Sequence, residues 1–352
     1  MMATRTATFT SMDLLPTEEQ QQIIDSAAGF LSGEFPVDRL LKLGANQPSV
    51  DPEQLKQIAS LGWFGIGLDE DAGGVGYGIC EEALLFIELG RSLMPPSLLG
   101  AVLAARMVAR VGPAAALSPI LEGNERVVLG TPRPSAPCHV GNTVSGELLV
   151  FEPNEADYIL VSDPSGAALL RAADLAPLSE AAGIDPTLAV ADARVDSIDA
   201  VAFVSASADN IFQRGALLSA ALSLGIAEAS LERSVNYAKE REQYGQPIGS
   251  FQAIKHYCAE MAIRCESVRA MVYHTSLTLA ADAGLYDLAT TKALATEAAQ
   301  TNANTAVQIH GGMGYTQEMD IHLFVKRAQV LATLFGSERY HLKTLLAQAR
   351  PE

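Results

Sequence analysis

Hydrophobic residues recur every three to four positions in the first third of the chain, which is typical of amphipathic helices. Thr17 precedes the first such segment and is followed by two acidic residues, so we expect it to cap a helix. The same spacing predicts further helices at residues 52–62, 81–90, 97–111 and 113–122. We therefore predict an N-terminal helical domain over residues 1–124.

The pattern changes at Gly123 to short apolar or alternating runs separated by proline, glycine, asparagine and aspartate. Runs of this kind are typical of β-strands joined by turns. We expect strands at residues 127–131, 147–151, 157–161, 167–172 and 198–204, with a turn at 152–155. These segments predict a small central β-domain over residues 125–208.

Helical spacing returns from residue 209. Small residues on the first helix of this region, such as Ala220 and Gly225, should let another helix approach closely. Further helices are expected at residues 251–281, 287–310 and 319–348. Four long helices with short connections indicate a C-terminal four-helix bundle over residues 209–352. The fold class predicted for the whole chain is α+β, mainly α.

The corner between the first two bundle helices is rich in residues that break a helix. Pro247 disfavours helical geometry at the residue before it, and Gly245 and Gly249 permit a left-handed or tightly turned backbone. Ser250 is a favourable N-cap for the second helix. The chain is therefore expected to turn sharply between residues 241 and 250.

Three side chains at this corner, Arg241, Gln243 and Tyr244, are placed to contact something outside the bundle. Alternatively, Arg241 caps the last carbonyls of the preceding helix and offsets the helix dipole. The physical properties of these residues favour the two interpretations about equally.

The composition limits the classes of partner. The chain has 352 residues, 49% of them hydrophobic, and a formal net charge of −17. Such an acidic surface argues against nucleic acid or an anionic membrane, although a local basic corner can still bind an anionic ligand. We find no apolar run of the 18 residues expected of a membrane-spanning helix. The four cysteines show neither metal-ligand spacing nor a disulfide framework, so we expect no metal and a cytoplasmic protein.

Two segments give the chain a resemblance to a known family. Residues 241–248, Arg-Glu-Gln-Tyr-Gly-Gln-Pro-Ile, and residues 307–315, Val-Gln-Ile-His-Gly-Gly-Met-Gly-Tyr, resemble segments of acyl-CoA dehydrogenases in their order and separation. In that family both segments bind the diphosphate and adenine end of an FAD held mainly by a neighbouring subunit. The resemblance implies FAD as cofactor and an acyl-CoA as substrate. The cofactor-binding residues that it implies are Arg241, Gln243, Tyr244, Gln308, Gly311 and Gly312.

The β-domain departs from the family pattern where the flavin ring is expected. Thr131 matches a strand residue that contacts the flavin, but the segment Pro132–Pro137 replaces the acidic Gly-Ser-Asp loop that normally follows. The tryptophan strand that backs the ring is also missing, because Trp63 is the only tryptophan in the chain. The resemblance therefore implies a reduced β-domain with a damaged site for the flavin ring.

The family reaction requires a base that removes an α-proton from the acyl thioester, and a carboxylate in a dry pocket can be tuned for this role. The two positions at which relatives carry this base fall on Phe335 and Gly215, neither of which can accept a proton. Asp209, Glu318 and Glu338 are carboxylates that could replace it. Each is also interpretable as a solvated or capping residue.

Three hypotheses follow. In the first, the chain is the non-catalytic, cofactor-sharing subunit of a heteromeric acyl-CoA dehydrogenase, similar to the α2β2 actinobacterial enzymes that degrade steroid side chains. A second subunit then supplies the base. In the second hypothesis, the chain is a homomeric dehydrogenase with a relocated base. In the third, it is an acyl-CoA-binding scaffold that has lost catalysis.

Overall fold

The computed structural model describes residues 15–43, 47–133, 136–154, 156–175, 178–280 and 284–348. The helices are α1 (Glu18–Glu34), α2 (Pro52–Ser60), α3 (Ile79–Arg91), α4 (Ser97–Val111), α5 (Ala114–Leu121), α6 (Ile211–Glu240), α7 (Gln252–Ala280), α8 (Leu285–His310), α9 (Ile321–Leu331) and α10 (Glu338–Ala347). The strands are β1 (Val127–Pro132), β2 (His139–Val140), β3 (Thr143–Phe151), β4 (Tyr158–Asp163), β5 (Gly166–Arg171), β6 (Ser179–Glu180), β7 (Val190–Asp199), β8 (Ala202–Ser205), β9 (Glu242–Gln243) and β10 (Gln246–Pro247). Residues 134–135 of the proline-rich segment and Glu155 of the expected turn lie outside the described residues.

The N-terminal helices form where the sequence pattern predicts them. The Thr17 side chain accepts a hydrogen bond from Gln20 N at 3.2 Å, and Thr17 N donates one to Gln20 Oε1 at 3.0 Å, so a capping box starts α1. α3 packs so closely against α6 that a Cβ on Gly225 would lie 2.0 Å from Ile87 O. The close helix approach expected of the small residues on the first bundle helix is thus confirmed.

The central layer is a sheet in the order β6-β7-β3-β1-β4-β5-β8, with β2 paired to β3. β1 and β4 run parallel, and the other pairs are antiparallel. The prediction of one strand at residues 198–204 is wrong, because β7 ends at Asp199 and β8 begins at Ala202. The apolar-run pattern does not reveal most of β7, because Asp192, Arg194 and Asp196 occupy its outward positions.

α6 is the core helix of the bundle and packs against α3, α7 and α8. Among the described helices, it is the one long and apolar enough to pass a composition test for a membrane span. However, 89% of the 18-residue apolar stretch that passes this test is buried inside the protein. Packing against three neighbouring helices therefore accounts for its hydrophobicity.

Two details of the bundle correct the sequence-based expectations. The single helix predicted at residues 319–348 is wrong: Phe335 and Gly336 adopt left-handed φ angles of 53° and 98°, which end the helical path between α9 and α10. Ser337 then caps α10. Ser250 does not cap α7, because its hydroxyl donates to Pro247 O at 2.8 Å within a preceding 3-10 turn.

Arg327 of α9 joins all three parts of the chain and is only 1% exposed. Its Nε donates to Asp185 Oδ2 at 2.7 Å, and its Nη2 donates to Thr187 Oγ1 at 2.9 Å, in the segment before β7. Its Nη1 donates to Leu93 O and Met94 O, at 2.6 and 2.7 Å, in the segment after α3. The bundle, the sheet layer and the N-terminal helices therefore meet at one buried guanidinium.

Replacement of Asp185 by asparagine should destabilise the protein by about 3–5 kcal/mol, because it leaves the buried Arg327 without its counter-charge. Urea unfolding at neutral pH measures this difference. The matched control is Asp196→Asn, which breaks an exposed pair with Arg194 and should cost at most about 0.5 kcal/mol. Equal effects of the two substitutions would contradict the role given to Arg327.

The same variant has a defined pH dependence. Burial alone would raise the pKa of Asp185, but the charge of Arg327 and the hydrogen bonds from Thr187 and Arg327 outweigh it and hold the pKa below its ordinary value. The stabilisation by this carboxylate is therefore complete above the ordinary pKa of aspartate and is lost as the pH falls through the lowered one. The difference between the wild type and Asp185→Asn should shrink in acid.

Candidate functional site

The first of the two resemblance segments forms an exposed β-hairpin at the end of α6. Gln243 of β9 pairs with Gln246 of β10. Tyr244 and Gly245 occupy the two turn positions with φ angles of 55° and 77°, the left-handed geometry that a two-residue hairpin turn requires. Tyr244 is 94% exposed, so the hairpin presents a large aromatic side chain to the outside.

Arg241 stands at the base of this hairpin, where α6 ends. Its N–H donates to Tyr237 O at 2.8 Å, and its carbonyl accepts from Ile248 N at 2.7 Å. Among the described residues, the guanidinium of Arg241 has no hydrogen-bond or ion-pair partner, and the residue is exposed. The helix end is thus capped by the backbone of Arg241, which leaves the guanidinium available to an external ligand.

The second segment ends α8 with a glycine turn. Gly311 is the C-cap with a φ of 61°, and a Cβ on Gly311 or Gly312 would meet no heavy atom within 4 Å. Gln308, one turn earlier, is exposed, and Tyr315 just beyond is 78% exposed. Open space lies in front of the backbone of this turn, as the approach of a ligand requires.

A stacked ring pair brings these two segments together. The rings of Tyr237, one turn before Arg241, and His310, next to Gly311, lie 4.2 Å apart with an interplanar angle of 22°. His310 Nδ1 lies 2.7 Å from Ala306 O, and burial lowers the pKa of His310, which favours a neutral ring. We call residues 241–248 together with 308–315 the flavin-tail edge, after the role that the family resemblance implies for them.

Thr131, which the resemblance implies as a flavin contact, and Arg133 of the proline-rich segment after it make hydrogen bonds within the sheet. Thr131 Oγ1 donates to Leu149 O at 3.5 Å in the neighbouring strand. Arg133, in the proline-rich segment that follows, donates from Nε to Asp192 Oδ1 at 2.8 Å. Both side chains therefore donate hydrogen bonds to other strands of the sheet. Neither side chain is without a protein partner at the place where the resemblance implies the flavin ring.

Gly215 and Phe335, the two positions at which the resemblance implies the family's base, meet in the structure. A Cβ built on Gly215 of α6 would lie 2.3 Å from the Phe335 ring, well inside van der Waals contact. Phe335 is 6% exposed and packs edge-on against Phe212, with ring centroids 6.1 Å apart. His341 Nε2 lies 2.9 Å from Phe335 O and holds the turn. The phenylalanine ring therefore fills the space that a side chain at residue 215 would need.

Each of the three alternative carboxylates has an ordinary structural position. Asp209 Oδ2 lies 2.8 Å from Arg106 Nε and 2.7 Å from Arg110 Nε, so two guanidiniums hold it. Glu338 is an exposed residue in the first turn of α10, and Glu318 is exposed in the segment before α9. These positions support the interpretation of all three as solvated, capping or ion-paired residues.

The sequence pattern does not single out a buried lysine that lies near the Phe335 turn. Lys292 of α8 is 1% exposed, and its Nζ donates to Ser219 Oγ at 2.7 Å and to Leu331 O at 2.8 Å. Burial lowers the pKa of Lys292 to about 7. The lysine supports the C-terminal end of α9, one turn before Phe335. A lysine on the apolar stripe of a predicted helix is the signal that could have revealed it.

Comparison with known proteins identifies the family. The model of the acyl-CoA dehydrogenase N-terminal domain matches residues 17–122, and the model of the C-terminal domain of the same family matches residues 205–349. The chain belongs to the acyl-CoA dehydrogenase family. Members of this family are FAD-dependent oxidoreductases that act on the CH–CH bond of acyl-CoA thioesters, so FAD is its cofactor.

Relatives of this chain include proteins of known name and structure. It is 27% identical to acyl-CoA dehydrogenase IpdE2 of Mycolicibacterium smegmatis, over 94% of this chain and 99% of the relative. The fold is similar to that of a chain in the ChsE4–ChsE5 complex of Mycobacterium tuberculosis, with a TM-score of 0.84 and 24% sequence identity. The match covers 97% of this chain and 100% of that chain. A chain of a protein named the Tcur3481–Tcur3483 steroid ACAD (acyl-CoA dehydrogenase) has a similar fold, with a TM-score of 0.80 and 23% sequence identity. The match covers 94% of this chain and 97% of that chain.

Replacement of Gly215 by alanine should destabilise the protein by about 1–3 kcal/mol, because the new methyl group overlaps the Phe335 ring. In a Phe335→Ala background the same replacement should be neutral or stabilising by up to about 1 kcal/mol, as expected for alanine in a helix. A double-mutant cycle by urea unfolding measures the difference.

Gly29→Ala in α1 is the control for that cycle, because a Cβ there would meet nothing within 4 Å. It should have the same small effect in both backgrounds. Additive effects of Gly215→Ala and Phe335→Ala would show that the two residues are not in contact.

Proposed function

We propose that this chain is the cofactor-sharing, non-catalytic subunit of a heteromeric acyl-CoA dehydrogenase. The observation that carries the proposal is the contact between Gly215 and Phe335: neither of these two residues is a carboxylate, and the Phe335 ring fills the space that a side chain at residue 215 would need. The flavin-tail edge, by contrast, is intact and exposed. The partner subunit then supplies the base and the site for the flavin ring.

The residues of the flavin-tail edge fit the nucleotide end of FAD. The guanidinium of Arg241 can donate charge-assisted hydrogen bonds to a diphosphate, and its planar fork suits phosphate oxygens. The open backbone at Gly311 and Gly312 admits close approach of the ligand, while Gln243, Tyr244 and Gln308 are exposed beside it. When bound, the flavin supplies the hydride acceptor of the reaction. This chain positions its tail, and the α-proton passes to a base on the partner.

The relatives support both the assembly and the substrate class. Two of the structures that share this fold are named as pairs of chains, the ChsE4–ChsE5 complex and the Tcur3481–Tcur3483 enzyme, and the second is named a steroid ACAD. We therefore propose an α2β2 heterotetramer as the assembly, and the CoA ester of a steroid side chain as the substrate. The proposed location is the cytoplasm.

The proposal predicts that the chain purified alone lacks the flavin absorbance band near 450 nm and does not oxidise acyl-CoA. Co-expression with a longer acyl-CoA dehydrogenase that carries a carboxylate at one of the two base positions should restore both. Absorbance and anaerobic acyl-CoA oxidation with an artificial electron acceptor measure these properties. Full flavin content and turnover in the lone chain would contradict the proposal. If Asp209→Asn, Glu318→Gln or Glu338→Gln abolished that turnover without loss of FAD, the hypothesis of a homomeric enzyme with a relocated base would be favoured.

In the co-expressed complex, Arg241→Ala should weaken FAD binding by about tenfold or more, because it removes a charge-assisted contact to the diphosphate. Titration of the apo-complex with FAD, followed by flavin fluorescence, measures the affinity. Arg194→Ala is the matched control, because Arg194 is an exposed arginine on β7 and should not affect binding. An Arg241→Ala complex with unchanged FAD affinity and activity would favour the scaffold hypothesis.

A further inference from the structure

Lys292 is buried in the bundle at the point where α9 ends. Its Nζ donates to Ser219 Oγ of α6 at 2.7 Å and to Leu331 O at 2.8 Å. Leu331 is the last residue of α9, and the last carbonyls of a helix have no partner within the helix. Leu331 O accepts a longer bond, of 3.3 Å, from Leu334 N. The lysine therefore supplies the short hydrogen bond that caps this helix end.

The contacts of Lys292 suit an uncharged amine. A neutral amine has two N–H donors, and Nζ has two acceptors among the described residues, the Ser219 hydroxyl and the Leu331 carbonyl. An ammonium carries a third N–H, for which these contacts leave no acceptor. Both acceptors are uncharged, and no described carboxylate forms an ion pair with the lysine. Burial accordingly lowers the pKa of Lys292 to about 7.

The helices around Lys292 bring no counter-charge to it. α6, α7, α9 and α10 pack against α8. α6 contributes the Ser219 hydroxyl, α9 contributes the Leu331 carbonyl, and no charged side chain of α7 contacts the amine in the described part of the chain. α10 contributes His341, whose pKa is lowered to about 4 by burial and by the nearby charge of Lys292. Because His341 stays neutral near pH 7, Lys292 is the group that changes charge here.

The segment after α9 depends on this helix end. We define residues 332–337 as the Phe335 turn. Phe335 and Gly336 have φ angles of 53° and 98°, and the left-handed conformation is strained for phenylalanine. Leu331 is four residues before Phe335, so a change at its carbonyl acts directly on the strained turn.

We propose that Lys292 is a proton-operated latch on the Phe335 turn, which the neutral amine holds closed and the ammonium releases. Protonation places a charge and an unpaired N–H in the core, and opening of the turn lets water reach both. The Phe335 ring then leaves Gly215, so the latch couples pH to the space beside α6. The latch is a property of this chain by itself and does not depend on the shared-flavin proposal.

The direction of the pH effect follows from the two states of the turn. In the open turn the amine is in water and its pKa has the ordinary value of 10.5, whereas in the closed turn the pKa is about 7. Opening therefore takes up a proton between these values. The latch is complete above the ordinary pKa and is lost as the pH falls toward the lowered one. The open population should rise about tenfold from pH 9 to pH 8 and level off below about pH 7.

Hydrogen–deuterium exchange of the full-length chain tests the latch. Mass spectrometry follows the exchange from pH 9 to pH 6, with correction for the intrinsic exchange rate. Peptides that cover residues 332–341 should show the rise in opening, whereas peptides of α4 should not. A flat profile at residues 332–341 would overturn the proposal. An equal trend in α4 would also overturn it, because the lysine would then report only unfolding of the whole chain.

Three substitutions make the test specific. Lys292→Met keeps a long apolar side chain without a site for a proton, so exchange at residues 332–341 should become independent of pH. Ser219→Ala removes an acceptor of the ammonium and should move the levelling-off point below about pH 7. Lys343→Met, at an exposed lysine of α10, should keep the wild-type profile. A pH trend that persists in Lys292→Met, or an unchanged levelling-off point in Ser219→Ala, would contradict the latch.

Discussion

The buried guanidinium of Arg327 fixes the geometry on which the rest of the structure depends. Its hydrogen bonds reach Asp185 and Thr187 before β7 and two carbonyls after α3, so α9 cannot move independently of the sheet layer or the N-terminal helices. The turn that carries Phe335 begins directly after α9. The position of α9 therefore sets where this turn begins, and the Phe335 ring in the turn lies against Gly215 of α6.

The two parts of the candidate site differ in character. The Phe335 ring fills the space that a side chain at residue 215 would need, and the Thr131 and Arg133 side chains donate hydrogen bonds to Leu149 of β3 and Asp192 of β7. The flavin-tail edge has the opposite character, since its side chains are exposed and its glycine turn faces open space. A chain of this kind can hold the nucleotide end of a cofactor whose reactive ring lies on another subunit.

Much of the fold could be predicted because caps and periodicity are local properties. Thr17 capped α1 as expected, and the bounds of α4 agree with the predicted helix. The break between α9 and α10 was missed because the hydrophobic spacing continues across it, although Gly336 and Ser337 are a typical stop and start signal. Ser250 was misassigned because an intervening 3-10 turn uses its hydroxyl.

The candidate site was only partly predictable, because its decisive contacts join residues far apart in the chain. The sequence motifs identified Arg241 and Gly311, but the stacking of Tyr237 on His310 that brings them together is a tertiary contact. The contact of Gly215 with the Phe335 ring is also tertiary, since nothing in the local sequence pairs Gly215 with a residue in the turn between α9 and α10.

The ratio of FAD to polypeptide in the purified heteromeric complex tests the central claim most directly. Quantitative amino-acid analysis, combined with the absorbance of the released flavin, gives this ratio. Under the proposal that this chain holds only the nucleotide tail, the account predicts one FAD for each pair of unlike chains. One FAD for every polypeptide would show that this chain also accommodates a complete flavin, which would contradict the account.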